Sequence, residues 1–224
     1  MAETEFRYPN NIDNMENNKK IIICVGRQLG SGGHIIAKKL AQEFGCKFYD
    51  RELLNLAARE SGFNEKFFEQ NDEKKGFFKS MFHIHVPLVP DNNFYSNKLS
   101  QESLFQIQSD AIRKAAETES CVFVGRCADY ILRDMDNMVS VFITSDMEER
   151  IAEIRRRHSC TEEEAEKIIE TQEDNRSSYY NYYTGKTWGH SASYDLCINS
   201  SLLGLEGTVK YISAYIRSAL AIEG

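Results

Sequence analysis

Short apolar runs alternate with longer amphipathic segments along most of the chain. The apolar runs are rich in β-branched residues and predict five buried strands, at residues 20–26, 47–50, 121–125, 138–144 and 194–199. Apolar residues at helical spacing predict helices at residues 33–44, 51–61, 63–82, 100–118, 127–134, 146–158, 161–176 and 205–220. This alternation predicts an α/β fold with a five-stranded parallel sheet and helices on both faces. In such folds ligands bind at the carboxyl ends of the strands.

Polar residues mark the starts of several helices, and one segment fits no regular element. Ser100 and Ser145 are predicted N-caps, the latter with Glu148 at the capping-box spacing, and Thr161 begins an acidic-fronted helix. Residues 82–98 contain two of the three prolines and are predicted to form an insertion or a mobile loop.

The composition excludes several classes of protein. The 224 residues are 42% hydrophobic and 27% charged, which suits one globular domain, predicted at residues 19–224. Residues 1–18 are rich in Asn, Asp and Glu and are predicted to form a disordered arm. No apolar run approaches the roughly 20 residues of a membrane helix, so no membrane partner is expected. A net charge of −7 argues against nucleic acid as the main partner.

Cysteine and histidine usage adds two further expectations. The six cysteines form no CxxC pair and no signal peptide is visible, so we expect reduced thiols and a cytoplasmic protein. The five histidines have no further ligands at suitable spacing, so no metal site is predicted.

A glycine-rich segment separates the first predicted strand from the first helix. Residues 26–34 read GRQLGSGGH, with four glycines in the first eight positions. Strand, glycine-rich loop and helix form the context of a phosphate-binding loop, in which Gly30, Gly32 and Gly33 let successive N–H groups face an anion. The alternative is an ordinary tight turn, for which four glycines are more than is needed.

This segment departs from the G-x-x-x-x-G-K-[ST] pattern of phosphate-binding loops. Gly33 stands where the pattern has Lys, and His34 where it has Ser or Thr. The cation that reaches the terminal phosphates and the usual magnesium hydroxyl are therefore both missing. We hypothesise that Arg27, just before the nest, supplies the missing charge. Ser31 carries the one hydroxyl of the loop.

Charged residues also follow two other predicted strands. Arg126 comes directly after the third strong strand, which places it at a carboxyl edge facing the same crevice as the glycine loop, and Asp129 lies one turn on. Asp50 and Arg51 end the second strand in the same way. The alternatives are a surface arginine that caps a short helix and an aspartate that is simply an N-cap.

Arginines cluster near the tip of a predicted helical hairpin, the lid region at residues 150–190. Arg150 and Arg157 share one helix face, and Arg176 lies at the end of the next helix, shortly after Asp174. Such a hairpin would close guanidinium groups over a transferring phosphoryl group. Alternatively, the basic helix end complements the helix dipole. The tyrosines at positions 179–183 stack on a base or serve packing.

Several motifs occur in an order that resembles a known family. They are the glycine loop, DREL, VFVGRCADYIL, VFITSDMEERIAEIRRR, EDNRSSYY and YDLCINSSLLGLEGTVKYI. Together, over about residues 20–216, they resemble the cytidylate-kinase-like family of P-loop nucleoside monophosphate kinases. The resemblance implies a P-loop kinase fold with an acceptor-side insertion at residues 62–100 and a helical lid. Two departures stand out: the loop has lost its Lys, and Gly125-Arg126-Cys127 replaces the GRD of true cytidylate kinases.

The resemblance implies transfer of the γ-phosphoryl group of ATP, with Mg²⁺, to a nucleoside monophosphate, and CMP or dCMP is the expected acceptor. The donor side would contain Arg27, Gly30, Ser31, Gly32, Gly33 and His34. The acceptor side would contain Asp50, Arg51, Arg126 and Asp129. The transferring group would be stabilised by Arg150, Arg157 and Arg176, with Asp174 orienting a lid arginine.

Two other functions remain open from the sequence. The missing Lys and Ser/Thr favour a protein that binds or senses a nucleotide without turnover, whereas the retained arginines favour an enzyme. A kinase of another small-molecule acceptor is the third possibility. The expected partner is in each case a nucleotide or another phosphorylated small molecule, and the oligomeric state stays open.

Overall fold

The computed structural model describes residues 20–50 and 94–222. The predicted arm, the predicted helices at 51–61 and 63–82, and residues 82–93 of the predicted insertion lie outside the described residues. Arg51 lies outside them as well. The domain boundaries and the insertion therefore remain predictions.

Five strands form one parallel sheet, as predicted. They are β1 (Ile22–Arg27), β2 (Lys47–Tyr49), β3 (Cys121–Val124), β4 (Met138–Thr144) and β5 (Leu196–Asn199). The strand order is β2-β3-β1-β4-β5. All four strand pairs are parallel, so the carboxyl ends of the five strands share one edge. The order places β1 in the centre, with the ends of β3 and β4 on either side of the loop that follows it.

Helices cover both faces of the sheet. They are α1 (Gly33–Glu43), α2 (Phe94–Thr118), α3 (Ala128–Ile131), α4 (Met147–His158), α5 (Glu162–Thr184) and α6 (Gly204–Leu220). Because side chains alternate along a strand, Ile23 and Val25 face α1 and α6, whereas Ile22 and Cys24 face α2, α3 and the last turns of α5. Two apolar layers result, one on each face of the sheet.

Several helix ends differ from the prediction, including that of α3, which ends at Ile131 rather than at residue 134. Helix α2 begins at Phe94, so residues 94–98 are helical and Ser100 lies inside the helix rather than at its N-cap. Asp146 is the N-cap of α4, because the Ser145 hydroxyl is 2.8 Å from that of Ser201 and joins the end of β4 to the loop after β5. Helix α5 continues beyond residue 176 to Thr184, because its last turns pack on the core.

The predicted start of α5 is confirmed. Thr161 is its N-cap and forms a capping box with Glu164, in which each side chain accepts a hydrogen bond from the other residue's N–H group. In the described part of the chain, none of the helices combines the length and the apolar character that a bilayer span requires.

Candidate phosphate-binding site

The glycine loop joins the central strand β1 to helix α1 at the carboxyl edge of the sheet. Gly30 has a φ of 84°, and a Cβ atom there would lie 2.9 Å from the backbone oxygen of Arg150, so only glycine fits. Within residues 20–50 and 94–222, no hydrogen-bond acceptor reaches the N–H groups of Gly30, Ser31 and Gly32. Three consecutive donors without partners, at the start of a helix, form a site for an anion.

Ser31 and His34 shape this loop by contacts within the protein. Ser31 is buried, its hydroxyl donates to the carbonyl of Gln28 at 2.9 Å, and the same oxygen accepts from the Gly33 N–H at 3.4 Å. The ring Nε2 of His34 lies 3.2 Å from a carboxylate oxygen of Asp50 at the end of β2. The structure thus brings together one predicted donor-side residue and one predicted acceptor-side residue.

The side chain of Arg27 extends from the glycine loop to the turn between β3 and α3. A Cβ atom on Gly33 would lie 2.5 Å from the Cβ of Arg27, and one on Gly125 would lie 2.6 Å from its Nη1. The guanidinium therefore reaches the turn that carries Arg126, and it does so across the mouth between β1 and β3. This position lies between the predicted donor and acceptor sides.

The turn between β3 and α3 has an unusual backbone. Gly125, Arg126 and Cys127 have φ angles of 75°, 57° and 57°, which is a strained conformation for the two residues that have side chains. The guanidinium carbon of Arg126 lies 5.1 Å from the ring centre of Tyr179, on α5. Arg126 is thus at the predicted edge, and an aromatic ring of the lid region faces its side chain.

Asp129 faces a different space from Arg126. Its carboxylate accepts a hydrogen bond from the Tyr180 hydroxyl at 2.7 Å and lines a cavity of about 200 Å³ together with Ser140 and Asp195. Burial raises the pKa of Asp129, and the hydrogen bond from Tyr180 and the charge of Lys186 counteract this shift. Because no residue of the glycine loop lines this cavity, the structure separates Asp129 from the loop.

Arg150 is committed to contacts with the glycine loop and with α5. It is 3% exposed, its Nε donates to the carbonyl of Leu29 at 2.9 Å, and its Nη2 lies 2.5 Å from an oxygen of Glu173. The N–H of Leu29 donates to the same oxygen at 3.2 Å. We call these three residues, Leu29, Arg150 and Glu173, the loop latch. The latch joins both helices of the hairpin to the loop.

The other predicted lid residues lie in three different settings. Arg176 donates from Nη1 to the carbonyl of Arg27 at 3.1 Å, and burial lowers its pKa. Arg157, two turns beyond Arg150 on α4, pairs with Glu153 on the same helix. Asp174 is exposed, and its carboxylate makes no ion pair with any described residue.

Glu173, rather than Asp174, contacts a lid arginine. The sequence offers two adjacent carboxylates, and the choice depends on which face of α5 is turned to the glycine loop. One signal was present: Glu173 lies three residues before Arg176, so the two share a helix face. The tyrosine cluster serves packing in part, because Tyr180 is buried and Tyr183 stacks on Phe105 with 3.9 Å between ring centres.

Comparisons with known proteins agree with this geometry. A model of the cytidylate kinase-like family matches residues 22–202. The chain is 26% identical over 198 residues to a cytidylate kinase of Pyrococcus horikoshii, and 24% identical over 197 residues to one of Thermococcus kodakarensis; each alignment covers 88% of both chains. The crystal structure of an uncharacterized protein from Eubacterium ventriosum superposes with a TM-score of 0.68 at 31% identity, over 89% of this chain and 99% of that one.

Proposed function

This chain belongs to the cytidylate kinase-like family, and on that premise we propose that it transfers the γ-phosphoryl group of ATP to CMP or dCMP. Membership and the curated relatives show a phosphotransferase of the nucleotide kinase class. The pyrimidine acceptor is the proposed part, and it is supported by the names of those relatives, which are cytidylate kinases.

One observation carries the proposal: free backbone donors and arginine side chains meet at the mouth between β1 and β3. The loop N–H groups lie next to the side chain of Arg27, which extends to the turn of Arg126, and Arg176 hydrogen-bonds the backbone of Arg27. In a chain of net charge −7, this local concentration of positive charge favours phosphate groups. Two phosphorylated substrates are what such an extended site can accommodate.

The chemistry requires positioning and charge neutralisation, without a covalent nucleophile. An oxygen of the acceptor phosphate forms a bond to the γ-phosphorus of ATP, the bond to the β–γ bridging oxygen breaks, and ADP leaves. We assign the donor phosphates to the loop N–H groups and Arg27, the acceptor phosphate to Arg126, and the developing charge to Arg27 and Arg176. This geometry assigns no role to five of the predicted site residues, which remain predictions: Asp50, Arg51, Asp129, Arg157 and Asp174.

The described residues do not supply a magnesium site of their own. The Ser31 hydroxyl is engaged with Gln28 and Gly33, and His34, in the place of the usual hydroxyl, faces Asp50. Residues 20–50 and 94–222 contain no group of three His, Cys, Asp or Glu side chains that would hold a metal. Mg²⁺ typically keeps several waters and binds substrate phosphates, so we treat it as part of the ATP complex and assign it no protein ligand.

A second function is favoured by one observation. Arg150, the first arginine of the predicted lid, is buried and engaged in the loop latch, which would suit a protein that binds a nucleotide without turnover. Against it, Arg126 makes no ion pair with a described carboxylate, so its charge is not neutralised within the described residues. A pure binding site for ATP would have no need of a second cationic centre at the end of β3.

An assay with a panel of acceptors tests the proposal. Purified protein is incubated with ATP, Mg²⁺ and CMP, dCMP, UMP, AMP or GMP, and the nucleotides are separated chromatographically. We expect CDP or dCDP, and Arg126→Ala should lower kcat/KM for the acceptor by about a hundredfold, as expected when a charged donor to the acceptor phosphate is lost. Arg113→Ala is the matched control, because that arginine lies on the exposed surface of α2 beside Asp110. Absence of any diphosphate, in protein that binds ATP by calorimetry, would contradict the proposal.

A further inference from the structure

We infer that Tyr179 is a positioning residue for Arg126 and that it couples the lid helix α5 to binding of the acceptor phosphate. The inference rests on the proposed function, in which Arg126 holds that phosphate. Its starting point is the contact between the guanidinium carbon of Arg126 and the ring of Tyr179, 5.1 Å from the ring centre.

Tyr179 belongs to a row of contacts along one side of α5. Glu173 reaches the N–H of Leu29, Arg176 reaches the carbonyl of Arg27, and Tyr179 reaches Arg126, at intervals of three residues. Residues three apart on a helix are neighbours on its surface, so this row runs along one side of the helix. The row spans the glycine loop, the end of β1 and the end of β3, which are the proposed donor and acceptor sides.

An aromatic ring suits an arginine that must bind a substrate. A carboxylate partner occupies N–H donors and neutralises the charge, as Glu173 does for Arg150. The Tyr179 ring instead attracts the guanidinium and its neutral hydroxyl accepts a hydrogen bond from it, so the arginine keeps its positive charge for phosphate oxygens. Tyr179 therefore orients Arg126 without removing the property that the acceptor requires.

The ring itself is held in place by its neighbours. Its centre lies 4.8 Å from that of Tyr183 and 6.3 Å from that of Phe105 on α2. Burial raises the pKa of the Tyr179 hydroxyl, and the charge of Arg126 opposes this shift, so the side chain stays a neutral phenol near pH 7. A fixed ring on α5 thus determines the direction of a long side chain on the β3–α3 turn.

The test uses three variants of the full chain. Tyr179→Leu removes the ring, and we expect KM for the acceptor to rise about tenfold, with KM for ATP within about twofold of wild type. Tyr179→Phe keeps the ring and loses the hydroxyl that hydrogen-bonds Arg126, so its acceptor KM should lie between those of wild type and Tyr179→Leu. Tyr211→Leu is the matched control, because Tyr211 lies on α6 and is 64% exposed. An unchanged acceptor KM in Tyr179→Leu, or an equal loss in Tyr179→Phe, would overturn the inference.

A double-mutant cycle separates positioning from a general packing role. In the Arg126→Ala background, Tyr179→Leu should have no further effect on acceptor affinity, because the arginine side chain that Tyr179 positions is absent. Additive losses would show that Tyr179 acts elsewhere and would reject the inference. If Tyr179→Leu unfolds, Tyr179→Met removes the ring with a more adaptable apolar side chain and should raise the acceptor KM in the same way, and an unchanged KM would count against the inference.

The outcome can be distinguished from failure of the proposed function. CMP binding by calorimetry needs no turnover and reports on Arg126 and Tyr179 directly. Wild-type protein that forms no diphosphate contradicts the proposed function. If the wild-type protein is active, and CMP binding is weakened by Arg126→Ala but not by Tyr179→Leu, that result contradicts this inference and leaves the proposed function standing.

Discussion

Removal of Glu173 should destabilise the protein far more than removal of an exposed acidic residue from the same hairpin. The side chain of Arg150 is 3% exposed and that of Glu173 is 19% exposed, and their charged atoms are 2.5 Å apart. Breaking a buried pair from one side costs about 3–5 kcal/mol, because the remaining charge stays buried. Arg150 keeps its hydrogen bond to Leu29 in Glu173→Ala. We therefore expect the lower end of that range, about 3 kcal/mol of unfolding free energy.

Urea denaturation followed by fluorescence of Trp188, the single tryptophan, measures this loss. Glu162→Ala is the matched control: the side chains of Glu162 and its partner Arg155 are 65% and 50% exposed, so we expect a loss under about 1 kcal/mol. The double variant Arg150→Met, Glu173→Leu replaces the pair by apolar groups and should recover most of the stability. A loss of less than 1 kcal/mol in Glu173→Ala, or a double variant as unstable as the single one, would refute the buried-charge argument.

Two further predictions concern Arg27, beside the glycine loop, and the buried Asp129. Arg27→Ala should weaken ATP binding by at least about tenfold in calorimetry, because the cation beside the loop is lost; unchanged ATP affinity would refute its assignment to the donor phosphates. Burial raises the pKa of Asp129 in the folded state above its ordinary value of 3.8. The ionised carboxylate therefore lowers the free energy of unfolding at neutral pH. This loss disappears as the pH falls below 3.8, where the carboxyl group is protonated in the folded and the unfolded state. Asp129→Asn, which still accepts a hydrogen bond from its tyrosine partner, should therefore raise the urea midpoint at pH 7, and the difference should vanish near pH 3. The exposed Asp134→Asn should show no such pH-dependent gain, and an Asp129→Asn midpoint at or below wild type at pH 7 would contradict the reasoning.

The sequence was sufficient for the sheet and for the position of the glycine loop between β1 and α1, and it failed to predict the side-chain partners. Runs of apolar residues and a glycine-rich segment are local sequence signals, so β1, β4 and the glycine loop could be located from the sequence directly. The partner of Arg150 could not, because choosing Glu173 over Asp174 requires the rotation of α5 about its axis, which tertiary packing determines. Ser145 illustrates the same limit: its hydroxyl is drawn to Ser201, which is distant in sequence, and so does not cap α4.

The absence of a lysine at position 33 and the position of Arg27 are linked by packing. A Cβ atom at position 33 would lie 2.5 Å from the Cβ of Arg27, closer than two carbon atoms can approach, so any side chain at position 33 would require the backbone near Arg27 to shift. We propose that Arg27 supplies the positive charge that the absent lysine would provide. The guanidinium of Arg27 extends to Gly125 and so lies between the two proposed phosphate positions. This arrangement favours phosphoryl transfer over simple nucleotide binding, since a charge between donor and acceptor acts where negative charge develops during transfer.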